Sequence, residues 1–172
     1  MDRTANLLGA LSLNLADRIE AVARTVLRRS GETPAALVVI GYGTGPSNDQ
    51  LRRILGLSHP GCVRLVDRLV ADGLVERQKG KDKRVVSLHL TDQGFALREE
   101  LLEGRLASIR PILTALTERE ERTLAELLAK MLVSMNPDEI ERRKICRLCD
   151  SRVCSDCPIP ADFHTGDKRP SN

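Results

Sequence analysis

Two short capped helical segments meet across Gly56-Leu57-Ser58, and a basic hairpin follows them directly. That order constrains the fold more than any other feature of the chain. Ser47-Asn48-Asp49-Gln50 has the form of a capping box, with serine at the cap and glutamine three residues on. It opens a helix to about Leu55. Gly56 suits the left-handed position past a helix end, Leu57 can pack inward, and Ser58 caps a second helix to about Asp72, closed by Gly73. Two short helices joined this way predict a helix-turn-helix. Leu74 to Gln78 and Val85 to Leu90 read as strands, and Lys79-Gly80-Lys81-Asp82-Lys83 between them is a polar hairpin tip. A basic hairpin in that place is a wing.

The flanking segments are helical. Leu8, Leu11, Leu15, Ile19, Val22 and Val26 recur at steps of three and four, the stripe of an amphipathic helix from about Thr4 to Arg29. Thr33-Pro34 reads as a cap with proline at the first helical position, opening a short helix over about Ala35 to Tyr42. Gly41, Gly43, Gly45 and Pro46 end it. Beyond the wing, Thr91 caps a long helix from Asp92 to about Leu116, with Pro111 as a kink or break. Thr117 to Glu120 forms another capping box. The helix it opens places Leu124, Leu127, Leu128, Met131 and Leu132 on one face. Asn136-Pro137 restarts a short charged helix.

Charge separates the middle of the chain from the rest. The net charge is only +3, but Gln50 to Leu90 holds nine Lys or Arg against four acids. That local excess is a candidate phosphate-facing surface. With one Tyr, two Phe and no Trp, the chain cannot build the aromatic platforms that single strands need, so the expected partner is duplex DNA. In the second helix of the pair, positions 62, 65, 66, 69 and 70 form an apolar face, while Pro60, Gly61, Arg64 and Arg68 share the opposite one. Ser58, His59, Pro60 and Gly61 would let backbone approach DNA closely, with free N–H groups of the first turn facing phosphate. Ser47 at the start of the preceding helix joins this set. Arg64 is the first choice for a base edge, because a guanidinium grips guanine O6 and N7 together. Arg68 would meet phosphate or an acid. Lys81, Lys83 and Arg84 are the wing's cations.

Leu55-Gly56-Leu57-Ser58, Arg64-Leu65-Val66-Asp67-Arg68-Leu69, Asp72-Gly73-Leu74-Val75-Glu76-Arg77, Asp82-Lys83-Arg84 and Leu90-Thr91-Asp92-Gln93-Gly94 together resemble the MarR family of winged-helix regulators, over about Thr4 to Val133. The resemblance implies a homodimer built from the first and last helices, a recognition helix in the major groove, and Arg84 in the minor groove with Asp82 pairing it to hold the wing. It also implies repression more often than activation, and release by a small-molecule effector or by cysteine oxidation. Tyr42 is the one aromatic candidate for an effector pocket. The expected fold class is mainly α with a small β-wing. A dimerisation helix spans 1–30, the winged helix-turn-helix domain 31–91, C-terminal dimerisation helices 92–135, a cysteine cluster 136–158 and a disordered tail 159–172.

Cys146, Cys149, Cys154 and Cys157 form C-x2-C-x4-C-x2-C, two knuckles able to enclose a tetrahedral metal. Zinc is the leading candidate, with Arg142, Arg143, Lys144, Arg147 and Arg152 expected to offset the thiolate charge. An iron–sulfur cluster is an alternative, although the central gap of four does not fit the usual run. A reversible dithiol is another. Cys62 reads as a small core residue, with a sensing thiol as the alternative. No segment approaches the ~18 apolar residues of a membrane span, and Met1 to Ala10 lacks a signal-peptide pattern, so a cytoplasmic protein without a membrane partner is expected. His59, His89 and His164 make no nucleophile–base pair, and Gly41-Tyr42-Gly43-Thr44-Gly45 lacks the ending of a phosphate loop. An enzyme is therefore not expected. Two other classes remain: a cysteine-centred redox or metal carrier, and a winged helix that binds protein rather than DNA.

Overall fold

The computed structural model describes residues 2–29, 31–79, 86–153 and 156–160. Their elements run α1 (Arg3–Leu27), α2 (Thr33–Ile40), α3 (Asn48–Leu55), α4 (His59–Ala71), β1 (Val75–Lys79), β2 (Val86–Leu90), α5 (Asp92–Leu113), α6 (Glu118–Ser134) and α7 (Glu139–Cys146). The fold is mainly helical, with one two-stranded antiparallel sheet that pairs Val75 with Leu90 and Lys79 with Val86.

Local chemistry sets most boundaries. Ser47 and Gln50 cap one another reciprocally at α3, and Thr117 and Glu120 do the same at α6. Gly56 follows α3 at φ 68°, the left-handed geometry that glycine adopts without a Cβ clash. One expected cap differs. Thr33 lies inside α2, and Glu32 occupies the cap position with no side-chain bond. α2 also stops at Ile40, two residues short of Tyr42. Pro111 neither breaks nor restarts a helix: it sits in the last turn of α5, which ends at Leu113 rather than Leu116.

Two apolar clusters hold the chain together. The first gathers α2, α3, α4 and the sheet, including Ala36, Leu37, Leu51, Ile54, Cys62, Val66, Leu69 and Leu88. α2 belongs wholly to the interior, every residue buried, which is why its pattern shows no polar face. The second cluster joins Ala23 of α1, Val38 of α2, Tyr42, Leu101 and Leu102 of α5, Cys146 of α7 and Ile159. α1 runs along α5, closely enough that a Cβ on Gly104 would lie 2.7 Å from Val22 Cγ1. Gly94 fixes the other end of α5. A Cβ there would meet the Leu74 carbonyl oxygen at 2.1 Å, so only glycine lets α5 start against the turn into β1. Ile159, assigned to the tail by sequence, is buried.

Candidate nucleic-acid interface

α4 rests on the first cluster through Cys62, Leu65, Val66 and Leu69, all buried, with Val70 half-buried. Ser58, His59, Pro60, Arg64 and Arg68 are exposed and Gly61 is half-buried. The structure thus brings the sequence-predicted reading residues of this helix to one open side. Ser58 caps the helix, its Oγ accepting the Gly61 N–H at 3.2 Å. Ser47 is half-buried, and its hydroxyl accepts the Gln50 N–H at 3.3 Å.

The first turn of α4 offers less to phosphate than expected. The Gly61 N–H goes to Ser58 Oγ, the Cys62 N–H goes to the Ser58 carbonyl at 3.0 Å, and Pro60 has none. Among the described residues, the His59 N–H makes no such bond. Side-chain charge must therefore do most of the work on this face. Arg52 and Arg53 are both drawn to Asp49, at 2.7 and 2.9 Å. Arg77 is drawn to Asp67 at 2.5 Å. Among the described residues, Arg64 and Arg68 form no ion pair; Arg68 Nε donates to the Arg64 carbonyl at 3.3 Å instead of meeting an acid. The cations free to approach an external anion on α4 are the two that the periodicity singled out. Lys81, Asp82, Lys83 and Arg84 lie outside the described residues, and so does Cys154.

Cys62 is a core residue. Its thiol donates to the Asn48 carbonyl at 3.4 Å, and burial pushes its pKa up, away from reactivity. The other cysteines behave differently. Cys146 is buried, and its thiol hydrogen-bonds Cys149. That bond, with help from the Arg105 cation, lowers the Cys149 pKa to about 7 against the opposing effect of burial. Among the described residues, no three His, Cys, Asp or Glu side chains are arranged to hold a metal ion.

Sequence reasoning missed three residues. Tyr42 is fully buried; its hydroxyl lies 3.0 Å from the Cys146 carbonyl and 2.9 Å from that of Cys149. Arg98 is buried over the Tyr42 ring at 5.4 Å and bonds Glu99 at 3.1 Å. Its room comes from Gly41, where a Cβ would lie 2.3 Å from Arg98 Cδ. Arg105 supplies the cation beside Cys149, a role expected of nearer neighbours in sequence. Those are engaged otherwise: Arg143 with Glu139, Lys144 with Glu141, and Arg152 with Asp150 and Glu99. A buried arginine carries no mark in a helical pattern that separates it from a surface one.

A helix-turn-helix with an antiparallel wing, between long flanking helices, defines a winged-helix transcription regulator. Comparison with known proteins narrows this. The model of the MarR family matches residues 30–84. The HTH-type transcriptional repressor MdtR of Bacillus subtilis (strain 168) is 34% identical over 124 residues, 69% of this chain and 79% of its own length. Apo MarR of E. coli superimposes with a TM-score of 0.63 at 25% identity, over 77% of this chain and 98% of that one. An S. aureus MepR F27L mutant, solved bound to an oligodeoxyribonucleotide, gives 0.58 at 20% identity, over 76% of this chain and 96% of its own, and shares the fold. The chain belongs to the MarR family of transcriptional regulators. Its matches are regulators, not enzymes. No described helix is long and apolar enough to cross a membrane.

Proposed function

We propose that the chain is a homodimeric repressor that lays α4 in the major groove of duplex DNA and its wing in the groove beside it. The observation that carries this reading is the sidedness of α4: Cys62, Leu65, Val66 and Leu69 buried beneath, and two arginines above that pair with no acid among the described residues. The oligonucleotide bound by MepR supports DNA as the partner, and the likeness to the repressor MdtR supports repression. The dimer is supported at both ends of the chain. α6 buries none of its residues, leaving Leu127, Leu128 and Met131 exposed, and Leu7, Leu8 and Leu11 of α1 are exposed as well. Two open apolar faces fit a second copy of the chain. Release by a small molecule is supported by a cleft of about 580 Å3 at the base of the wing, where Ile40, Glu76, His89 and Phe95 face one another.

Binding of the purified chain to the DNA upstream of its own gene, across a salt series, tests the reading. Each phosphate contact should steepen the log–log slope by roughly 0.9. Arg64→Ala should cost about 1–3 kcal/mol on the specific site and relax base preference there. Equal loss on random DNA makes Arg64 a phosphate anchor only. A dimer that ignores duplex DNA at low ionic strength would falsify the reading.

A further inference from the structure

Three walls bound the cleft at the base of the wing. The first is the outer face of the sheet. Register pairs Glu76 with His89 across it, so both side chains leave the face opposite the buried Val75 and Leu88. The second is the turn after α2, which lies against that face. The Leu88 N–H donates to the Pro46 carbonyl at 3.0 Å, and a Cβ on Gly45 would lie 2.9 Å from His89 Cε1. Gly43 at φ 77° and Gly45 at φ 61° take the left-handed path this close approach needs. The third is the first turn of α5, with Asp92 and Phe95. Thr91 pins that wall, its hydroxyl donating to the Gly73 carbonyl at 2.6 Å and accepting the Gly94 N–H at 3.1 Å.

The lining is divided by polarity. Ile40 and Leu90 are buried and Phe95 is half-buried, and these three make an apolar floor; Glu76 and Asp92 are exposed at the mouth. No Lys or Arg is among the described lining residues. Neither carboxylate has a cationic partner among the described residues, and Glu76 Oε1 instead accepts the Gln78 side-chain amide at 2.7 Å. Asp92 stands in the first turn of α5, where it offsets the positive end of that helix. An aromatic carboxylate or phenolate entering this space would meet like charge from both acids. An organic cation would meet two carboxylates and an aromatic ring. A volume of about 580 Å3 suits a drug-sized molecule.

We propose that this cleft binds a hydrophobic organic cation, with its flat apolar body on Ile40, Leu90 and Phe95 and a quaternary or protonated amine at Glu76 and Asp92. This names the ligand class of the effector cleft in the proposed function, and its regulatory part rests on that reading. The route to DNA runs through the sheet. Arg77, on the other face of β1, is drawn to Asp67 of α4 at 2.5 Å. A ligand held between the sheet and α5 fixes the wing against α5 and, through that ion pair, the tilt of α4. Bound cation therefore weakens the grip on DNA.

The probe is 2-naphthylmethyl-trimethylammonium, followed by its own fluorescence anisotropy on the full chain at pH 8. Its counterpart, 2-naphthylmethanesulfonate, carries the same rings with the opposite charge. The ammonium should bind at least about tenfold tighter than the sulfonate. Glu76→Gln and Asp92→Asn should each weaken it about threefold, and Phe95→Leu should do the same to about the same extent. The double variant Glu76→Gln/Asp92→Asn should bind both probes alike. An ammonium preference below about threefold, no binding of the ammonium, or ammonium binding that the double variant leaves unchanged each overturns the site. With the ammonium in excess, the wild-type chain should lose about fivefold or more in affinity for the DNA upstream of its gene, and the double variant should not. An unchanged DNA affinity overturns the regulation alone. A chain that binds the ammonium selectively through these residues but ignores duplex DNA defeats the proposed function and leaves the cleft's ligand class standing.

Discussion

The recognition unit and the cysteine extension each hold buried sulfur, yet they are organised by opposite means. In the unit from α3 to β2, neighbours in sequence do most of the ordering. Ser47 and Gln50 bond each other, Ser58 bonds Gly61, and Thr91 Oγ1 accepts the Gly94 N–H at 3.1 Å. In the extension, the ordering contacts span the chain: Tyr42 reaches the carbonyls of Cys146 and Cys149, and Arg152 reaches Glu99. Local bonds leave one face of α4 free for an external partner. Long-range bonds pull the extension inward and couple it to the core. The comparison teaches that an appended segment with little apolar surface can still be structural, provided buried polar groups of the main body are satisfied by it.

The largest effect that would sharpen this contrast comes from Gly94. Gly94→Ala forces a Cβ onto the Leu74 carbonyl oxygen, a backbone atom that cannot yield cheaply. Denaturant unfolding should show a loss of about 3 kcal/mol; a loss below about 1 kcal/mol would mean that the wing and α5 are not rigidly joined. The second contrast is chemical. Cys149 has its pKa lowered to about 7 and Cys62 has its raised. At pH 7.5, alkylation followed by peptide mass mapping should label Cys149 at least about tenfold faster than Cys62. Because the folded-state value of Cys149 is depressed, its thiolate adds stability fully present above the ordinary thiol range near pH 9. That stability is lost as pH falls through about 7. Comparable labelling of the two thiols breaks the distinction between the regions. The smallest effect is local: Ser58→Ala should cost about 1 kcal/mol of stability. It should also weaken DNA binding modestly, because the first turn of α4 would fray. An unaffected melting temperature would show that packing alone holds that turn.

The legible parts of the site were those governed by short spacing. Arg64 and Arg68 could be placed on the open side of α4 because a 3.6-residue period and five apolar positions leave one orientation. The caps at Ser47, Ser58, Thr91 and Thr117 could be read because their partners sit three residues away. Of the N–H groups expected to face phosphate in the first turn of α4, that of Gly61 goes to Ser58 and Pro60 has none. The partners of the Tyr42 hydroxyl were not legible, because they stand more than a hundred positions away, where no spacing rule reaches.

Sequence by itself determined the helix-turn-helix, the wing, the caps and the face that α4 presents, since backbone satisfaction and side-chain periodicity act over a few residues. Only the tertiary structure decided that Arg98 lies in the interior, that Tyr42 ties the cysteine turn to the core, and that α6 buries none of its residues. Those outcomes depend on which surfaces exclude water together, and that is a property of the packed chain rather than of any segment.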